Sequence, residues 1–122
     1  MELVAEQQTD RVLNAAVAVH RELGPGFLES IYEEALRHEL TKRGHRVERQ
    51  KNIPVRYDGV TVGEHRLDLL VDSEIVVELK ACKGIEDIHL ATARSYLKAT
   101  GCRVALVLNF AEPKLGIRRV VL

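Results

Sequence analysis

Three ionisable side chains interrupt an apolar stretch between residues 67 and 80: Asp68, Glu78 and Lys80. The stretch is typical of two hydrophobic strands joined by a tight turn. Burying charges without partners costs several kcal/mol, so these three side chains need a common reason to be there. A divalent metal ion held against a phosphodiester would supply one, because hard cations prefer carboxylate oxygens.

The register of this hairpin decides whether the three side chains meet. A two-residue turn at positions 72–73 would place Asp68 and Glu78 on opposite faces of the sheet, whereas a three-residue turn at 72–74 pairs them. The longer turn also pairs Val71 with Ile75 and Arg66 with Lys80. It sorts one apolar face (Leu67, Leu69, Val71, Ile75, Val77, Leu79) from another carrying Asp68, Leu70, Val76, Glu78 and Lys80. Because hydrophobic pattern sets register, we expect this pairing; a bulge with a shorter turn would give the same convergence.

Composition predicts one soluble globular domain spanning residues 1–122, with 46% hydrophobic and 30% charged residues. The 18 acidic and 18 basic residues cancel, which argues against tight non-specific binding to DNA. A local basic patch remains compatible with this balance. One run of basic residues could form such a patch or a solvated surface: Arg43, His45, Arg46, Arg49 and Lys51.

Cys82 and Cys102 form no CxxC pair, so we expect buried free thiols in a reducing compartment, with a disulfide between them as the alternative. The acidic, polar N-terminus does not resemble a signal peptide. No apolar run approaches the roughly 20 residues of a membrane span. The sequence therefore predicts a cytoplasmic protein that does not enter a membrane.

Hydrophobic periodicity and turn residues predict the element order α-α-β-β-β-α-β-β. The first helix begins at a cap, Thr9 or Asp10, and ends at Gly24; the second has an inner stripe that starts with Leu28 and Ile31. The remaining predicted spans are helix 28–42, strands 47–57, 60–71 and 75–81, helix 86–99, and strands 102–110 and 117–122. A meander followed by a helical crossover indicates an α/β (α+β) fold with a mixed sheet and helices packed on it.

The motif of one Asp and a Glu-x-Lys triplet on adjacent strands resembles the PD-(D/E)XK nuclease superfamily. Residues 26–32, Gly-Phe-Leu-Glu-Ser-Ile-Tyr, look like the signature of its GxxExxY family. Further matching segments, in family order, are 52–57, 66–68, 77–80, 108–110 and 116–119. This resemblance implies a restriction-endonuclease-like core.

The resemblance also implies roles for individual residues. Asp68 and Glu78 would hold Mg²⁺ or Mn²⁺, with the backbone carbonyl of Leu79 as a third ligand. Lys80 would orient the attacking water or stabilise the transition state. Glu29 would add a carboxylate, through water or a second metal ion.

Family members with an exonuclease-like site place a Gln and a Tyr one turn apart on the helix after the Glu-x-Lys strand. Tyr96 matches the Tyr, but Thr92 stands where the Gln is expected. Threonine is shorter and lacks the amide, which puts substrate positioning in doubt. His89 shares that helix face and is a candidate substitute as a phosphate contact.

Two functions follow from these residues. The first is a metal-dependent nuclease acting on nucleic acid, DNA in preference to RNA. The alternative is a catalytically inactive module that keeps the nuclease fold and acts by binding or regulation in a larger complex. A homodimer would present two sites, and the apolar residues 120–122 fit either the core or such an interface.

Overall fold

The computed structural model describes residues 5–122 and shows, within them, the predicted order of three helices and five strands. The elements are α1 (Glu6–Leu23), α2 (Glu29–Lys42), β1 (Val47–Tyr57), β2 (Val60–Val71), β3 (Ile75–Lys80), α3 (Asp87–Thr100), β4 (Val104–Asn109) and β5 (Gly116–Val121). The predicted mixed α/β (α+β) fold is confirmed. No helix in this described part is long and apolar enough to cross a membrane.

The strands form one sheet in the order β1-β2-β3-β4-β5. The β3–β4 pair is parallel and the other three neighbouring pairs are antiparallel. Parallel strands need a crossover connection, and α3 supplies it. This crossover leaves the C-terminal end of β3, where Lys80 lies, beside the C-terminal end of β4.

Helices cover both faces of the sheet. On one face α1 and α2 pack against Leu69, Val77 and Leu106, and on the other α3 packs against Val76 and Val107. Every residue of β4 is buried, as expected for a strand covered on both sides. Val120 joins the core, whereas Val121 and Leu122 are exposed.

Two predictions about the helices were wrong. The first helix begins at Glu6 instead of after a Thr9 or Asp10 cap, because Thr9 is buried inside α1 and its hydroxyl accepts a hydrogen bond from Arg119. Leu28 and Ile31 are exposed, since α2 turns Tyr32, Leu36 and Leu40 towards the sheet instead. Cys82 and Cys102 are free, as expected, but both are half-buried and not buried as predicted.

Tyr32 holds the loop between α1 and α2 in place. Its side chain is fully buried and stacks on Phe110, with ring centroids 4.7 Å apart. Its hydroxyl donates to the carbonyl of Gly24 (2.6 Å) and accepts from the N–H of Phe27 (3.1 Å). The start of α2 is therefore fixed to the core through one phenol group.

We expect Tyr32→Phe to lower the free energy of unfolding by about 1–2 kcal/mol, because it removes a buried hydroxyl and leaves a carbonyl and an N–H unpaired. Urea denaturation would measure this. Tyr57→Phe is the matched control, since Tyr57 is 76% exposed and should change stability little. Equal effects of the two substitutions would contradict the assigned role.

Candidate active site

The paired strands β2 and β3 separate at the point where the carboxylates lie. Their ladder runs from Val71–Ile75 to Leu69–Val77, which confirms the register predicted from a three-residue turn. Beyond it, the N–H of Asp68 donates to Glu78 Oε1 (3.1 Å), and the N–H of Leu79 donates to Asp68 Oδ2 (2.9 Å). Each carboxylate thus replaces a backbone acceptor of the opposite strand, and the two side chains meet in the gap.

Glu78 is only 5% exposed. Burial and, secondly, the negative charge of Asp68 raise its pKa from 4.5 to about 9, against the opposing effects of the Asp68 amide and Lys80. A carboxyl group with that pKa carries a proton at neutral pH. Without a cation, Glu78 therefore carries a proton beside Asp68.

Lys80 and Glu29 border this pair. The charges of Asp68 and Lys80 both act on the carboxyl of Glu29, whose pKa is raised chiefly by burial and then by Asp68, although the residue as a whole is exposed. Within residues 5–122, Lys80 has no carboxylate within ion-pair distance. Its ammonium group is therefore not neutralised by a direct ion pair.

Tyr96 reaches the site from α3. Burial, followed by the charges of Glu78 and Asp68, raises the pKa of its phenol to about 12, so it remains a hydrogen-bond donor at neutral pH. Its ring packs edge-on against His65, with centroids 4.6 Å apart. Ser95 Oγ lies 3.1 Å from Nε2 of His65 and donates to the carbonyl of Thr92.

Sequence analysis assigned no role to His65, although the structure packs it against Tyr96. Its only signal was a polar side chain three positions before Asp68 on the same strand. Thr92 lies one turn before Tyr96 on α3 and is half-buried. His89 has a structural task, because its Nδ1 accepts from the N–H of Glu86 (2.9 Å) in the capping box that starts α3.

The β1–β2 ladder is interrupted where Gln50 and Asp68 lie opposite each other. Gln50 adopts a positive φ of 53°, and neither residue pairs between Arg49–Leu69 and Lys51–Leu67, although the register is the same on both sides. Leu69 faces α1 and α2 while Leu67 packs on the α3 side, contrary to the prediction that they share a face. The alternation of faces along β2 therefore changes at Asp68, the residue between them.

The interrupted part of β1 is anchored to α2. Glu33 is 5% exposed and accepts hydrogen bonds from Gln50 Nε2 (2.7 Å) and Arg49 Nε (2.5 Å). Glu33 lies one helical turn after Glu29. The same helix therefore carries Glu29 at the candidate site and holds Gln50, which lies opposite Asp68.

Asn109 fixes the other side of the site. It is fully buried and lies opposite Lys80 in the β3–β4 ladder. Its Oδ1 accepts from the N–H groups of Cys82 and Ala111, and its Nδ2 donates to the carbonyl of Cys82 and to Glu112. The chain leaving β3 is thereby tied to the chain leaving β4.

The run of basic residues from 43 to 51 is largely neutralised, which favours the solvated-surface interpretation. Arg43 pairs with Glu39 at 2.8 Å, and Lys51 pairs with Glu48 at 2.7 Å. His45 lies 2.7 Å from Asp72, and Arg49 contacts Glu33 and Glu34.

The donor set fits a hard divalent cation with few protein ligands. One oxygen of Asp68 and one of Glu78 accept backbone N–H groups, which leaves the second oxygen of each for a cation. In the part of the chain the structure describes, no three Asp, Glu, His or Cys side chains form a group able to hold a metal ion. A metal here would rely on two carboxylates, a carbonyl and water, as Mg²⁺ commonly does.

A family profile described as the PD-(D/E)XK nuclease superfamily matches residues 6–120. The chain belongs to this superfamily, and its mixed sheet with helices on both faces is a restriction-endonuclease-like fold. No curated protein and no solved structure matches the chain significantly.

The buried Glu78 makes stability depend on pH. Its pKa is raised in the folded state, so between about 4.5 and about 9 the folded protein keeps a proton that the unfolded chain releases, and stability falls as pH rises. We expect Glu78→Gln to gain stability over the metal-free wild type by more than about 1.4 kcal/mol, the equivalent of one pKa unit, as pH rises through that window. Urea denaturation in EDTA at several pH values would measure the difference.

The matched control is Glu74→Gln, an exposed residue of the β2–β3 turn. Its difference from the wild type should not change with pH. A Glu78→Gln difference that stays constant over the window would show that Glu78 ionises normally in the folded protein.

Proposed function

We propose that this chain is a metal-dependent nuclease of the GxxExxY family that hydrolyses phosphodiester bonds in DNA. The observation that carries the proposal is the meeting of Asp68 and Glu78 where β2 and β3 separate, beside the unpaired ammonium of Lys80. Membership of a nuclease superfamily supports a nucleic-acid substrate. A buried Glu78 beside a half-buried Asp68, with no cation, would be a costly arrangement for a purely structural protein.

Asp68, Glu78 and the backbone carbonyl of Leu79 would hold Mg²⁺ or Mn²⁺. The N–H of Leu79 points to Asp68, and in a strand the N–H and C=O of one residue face the same neighbour, which supports the carbonyl as a ligand. Such an ion, when bound, lowers the pKa of a water and offsets charge that develops on the phosphate.

The remaining site residues would orient the attacking water or donate hydrogen bonds to the phosphate. Lys80 extends its ammonium beside the carboxylates, where it would orient the attacking water or stabilise negative charge on the phosphate. Glu29, at the start of α2, would act through water. Tyr96, with its proton retained, would donate to a phosphate oxygen, whereas Thr92 offers only a short hydroxyl and His89 only its free Nε2.

The second candidate is an inactive nuclease-fold module that binds or regulates within a larger complex. Thr92 in place of the expected Gln favours it, as does the lack of a three-ligand cluster among residues 5–122.

A homodimer would present two sites and suit a cut through both strands. A cytoplasmic location stays a prediction from the sequence.

We expect the purified protein to cleave DNA in Mg²⁺ or Mn²⁺ and not in EDTA. Glu78→Ala and Lys80→Ala should each reduce the rate at least about 100-fold, since each removes a group that acts on the developing charge. Gel assays with single- and double-stranded DNA and RNA would test this. Glu74→Ala and Lys42→Ala, both distant from the site, are the matched controls and should retain wild-type rates.

Cleavage that survives in both site variants would place the reaction elsewhere or reveal a contaminant. A folded protein that cuts no substrate would support the inactive module.

Metal binding separates the two candidates without an activity assay. We expect Mn²⁺ to stabilise the protein by about 2.7 kcal/mol at 100 times its Kd, and to release a proton at pH 7 because Glu78 is protonated beforehand. Calorimetry in buffers of different ionisation enthalpy would count the proton. Glu78→Gln should abolish both effects, and binding without proton release would contradict the state assigned to Glu78.

A further inference from the structure

The cations of this protein fall into two groups. The ion pairs among residues 5–122 all lie between residues 33 and 72, on α2, β1 and the turns next to them. Arg56 and Lys98 are exposed and take part in none of these pairs, nor in a side-chain hydrogen bond within the same described part. Their charges are therefore available to an external ligand.

Arg56 and Lys98 face one groove. The β1–β2 ladder continues to Tyr57–Val60, whereas β2 pairs with β3 only as far as Leu69, so a two-stranded arm (residues 52–66) extends past β3. Between this arm and α3 lies a cavity of about 440 Å³. Its lining includes Arg56, His65, Ser95 and Lys98, with apolar surface from Pro54 and Ala99.

One residue, His65, connects the groove to the surroundings of the candidate active site. His65 lines the groove and also packs against Tyr96, whose phenol is close enough for Glu78 and Asp68 to raise its pKa. A register shift between Val55 and Arg56 bends the arm beside the groove. A polymer bound in the groove would therefore lie one side chain away from Tyr96.

We propose that this groove binds the backbone of the DNA strand to be cut, with Arg56 and Lys98 contacting phosphates next to the scissile one. The inference rests on the proposed function and adds the direction in which the substrate leaves the site. Two cations beside apolar surface match a sugar–phosphate backbone, whose phosphates are charged and whose sugars present carbon atoms. Arginine can hold a phosphate through two parallel N–H bonds, and lysine acts as a point charge.

The test measures binding without catalysis. The double variant Arg56→Gln/Lys98→Gln and the wild type are titrated against a fluorescent single-stranded DNA oligonucleotide by anisotropy, in EDTA, over a range of salt concentrations. We expect about tenfold weaker binding at low salt and a salt slope reduced by about 0.7 for each phosphate contact removed. Arg103→Gln is the matched control, because Arg103 is exposed, outside the ion pairs, and at the opposite end of β4 from Asn109.

Unchanged affinity and slope in the double variant, or an equal loss in Arg103→Gln, would overturn the proposal. Arg56→Lys/Lys98→Arg keeps both charges and should retain most of the affinity, which excludes misfolding as the cause of a loss. Competition by polyglutamate as strong as that by DNA would assign the groove to acidic protein segments instead. Binding of RNA alone would overturn the assignment to DNA.

These results stand apart from the cleavage assay. DNA bound through Arg56 and Lys98 by a protein that cuts nothing would support the groove and reject the nuclease. Cleavage that depends on Glu78, together with unaltered binding in the double variant, would support the nuclease and reject the groove.

Discussion

The structure depends on two carboxyl groups that share a gap between neighbouring strands. Asp68 and Glu78 can meet only if β2 and β3 stop pairing beyond Leu69 and Val77, and separation deprives backbone N–H groups of their acceptors. The two carboxyl groups accept hydrogen bonds from those N–H groups, so neither donor is left without an acceptor in the gap. What remains is an electrostatic cost, which protonation of Glu78 lowers, since burial and the charge of Asp68 raise its pKa to about 9.

Three buried side chains fix the segments around this gap, two of them from α2 and one from β4. Tyr32 fixes the start of α2, Glu33 holds Gln50 of β1, and Asn109 ties the end of β3 to that of β4. All three are hydrogen-bonded, so each restricts its segment to one arrangement. The position of the two carboxyl groups is therefore set by contacts between several elements and not by the β2–β3 hairpin alone.

The sequence predicted the hairpin register because hydrophobic alternation on both strands admits only one good sorting of faces. It could not predict the interruption of the β1–β2 ladder at Gln50, since nothing in the identity of a glutamine indicates a positive φ. That residue is held by a contact to Glu33, 17 positions earlier. The placement of Leu67 failed because the alternation of faces along β2 changes at Asp68, opposite this interruption. His65 was missed because its role is a contact with Tyr96 on another element, and a single strand pattern carries no information about that helix.

The net charge of this protein does not predict the charge on its individual surfaces. The balance of 18 acidic and 18 basic residues argues against strong binding to nucleic acid, yet a ligand responds to the local field and not to the sum. Acidic partners neutralise much of the basic run on β1, the very residues that a linear reading singles out. Arg56 and Lys98, isolated in the sequence, form no ion pair within residues 5–122 and line the groove between the arm and α3. The net charge of the chain therefore does not predict where an anionic ligand would meet unpaired cations.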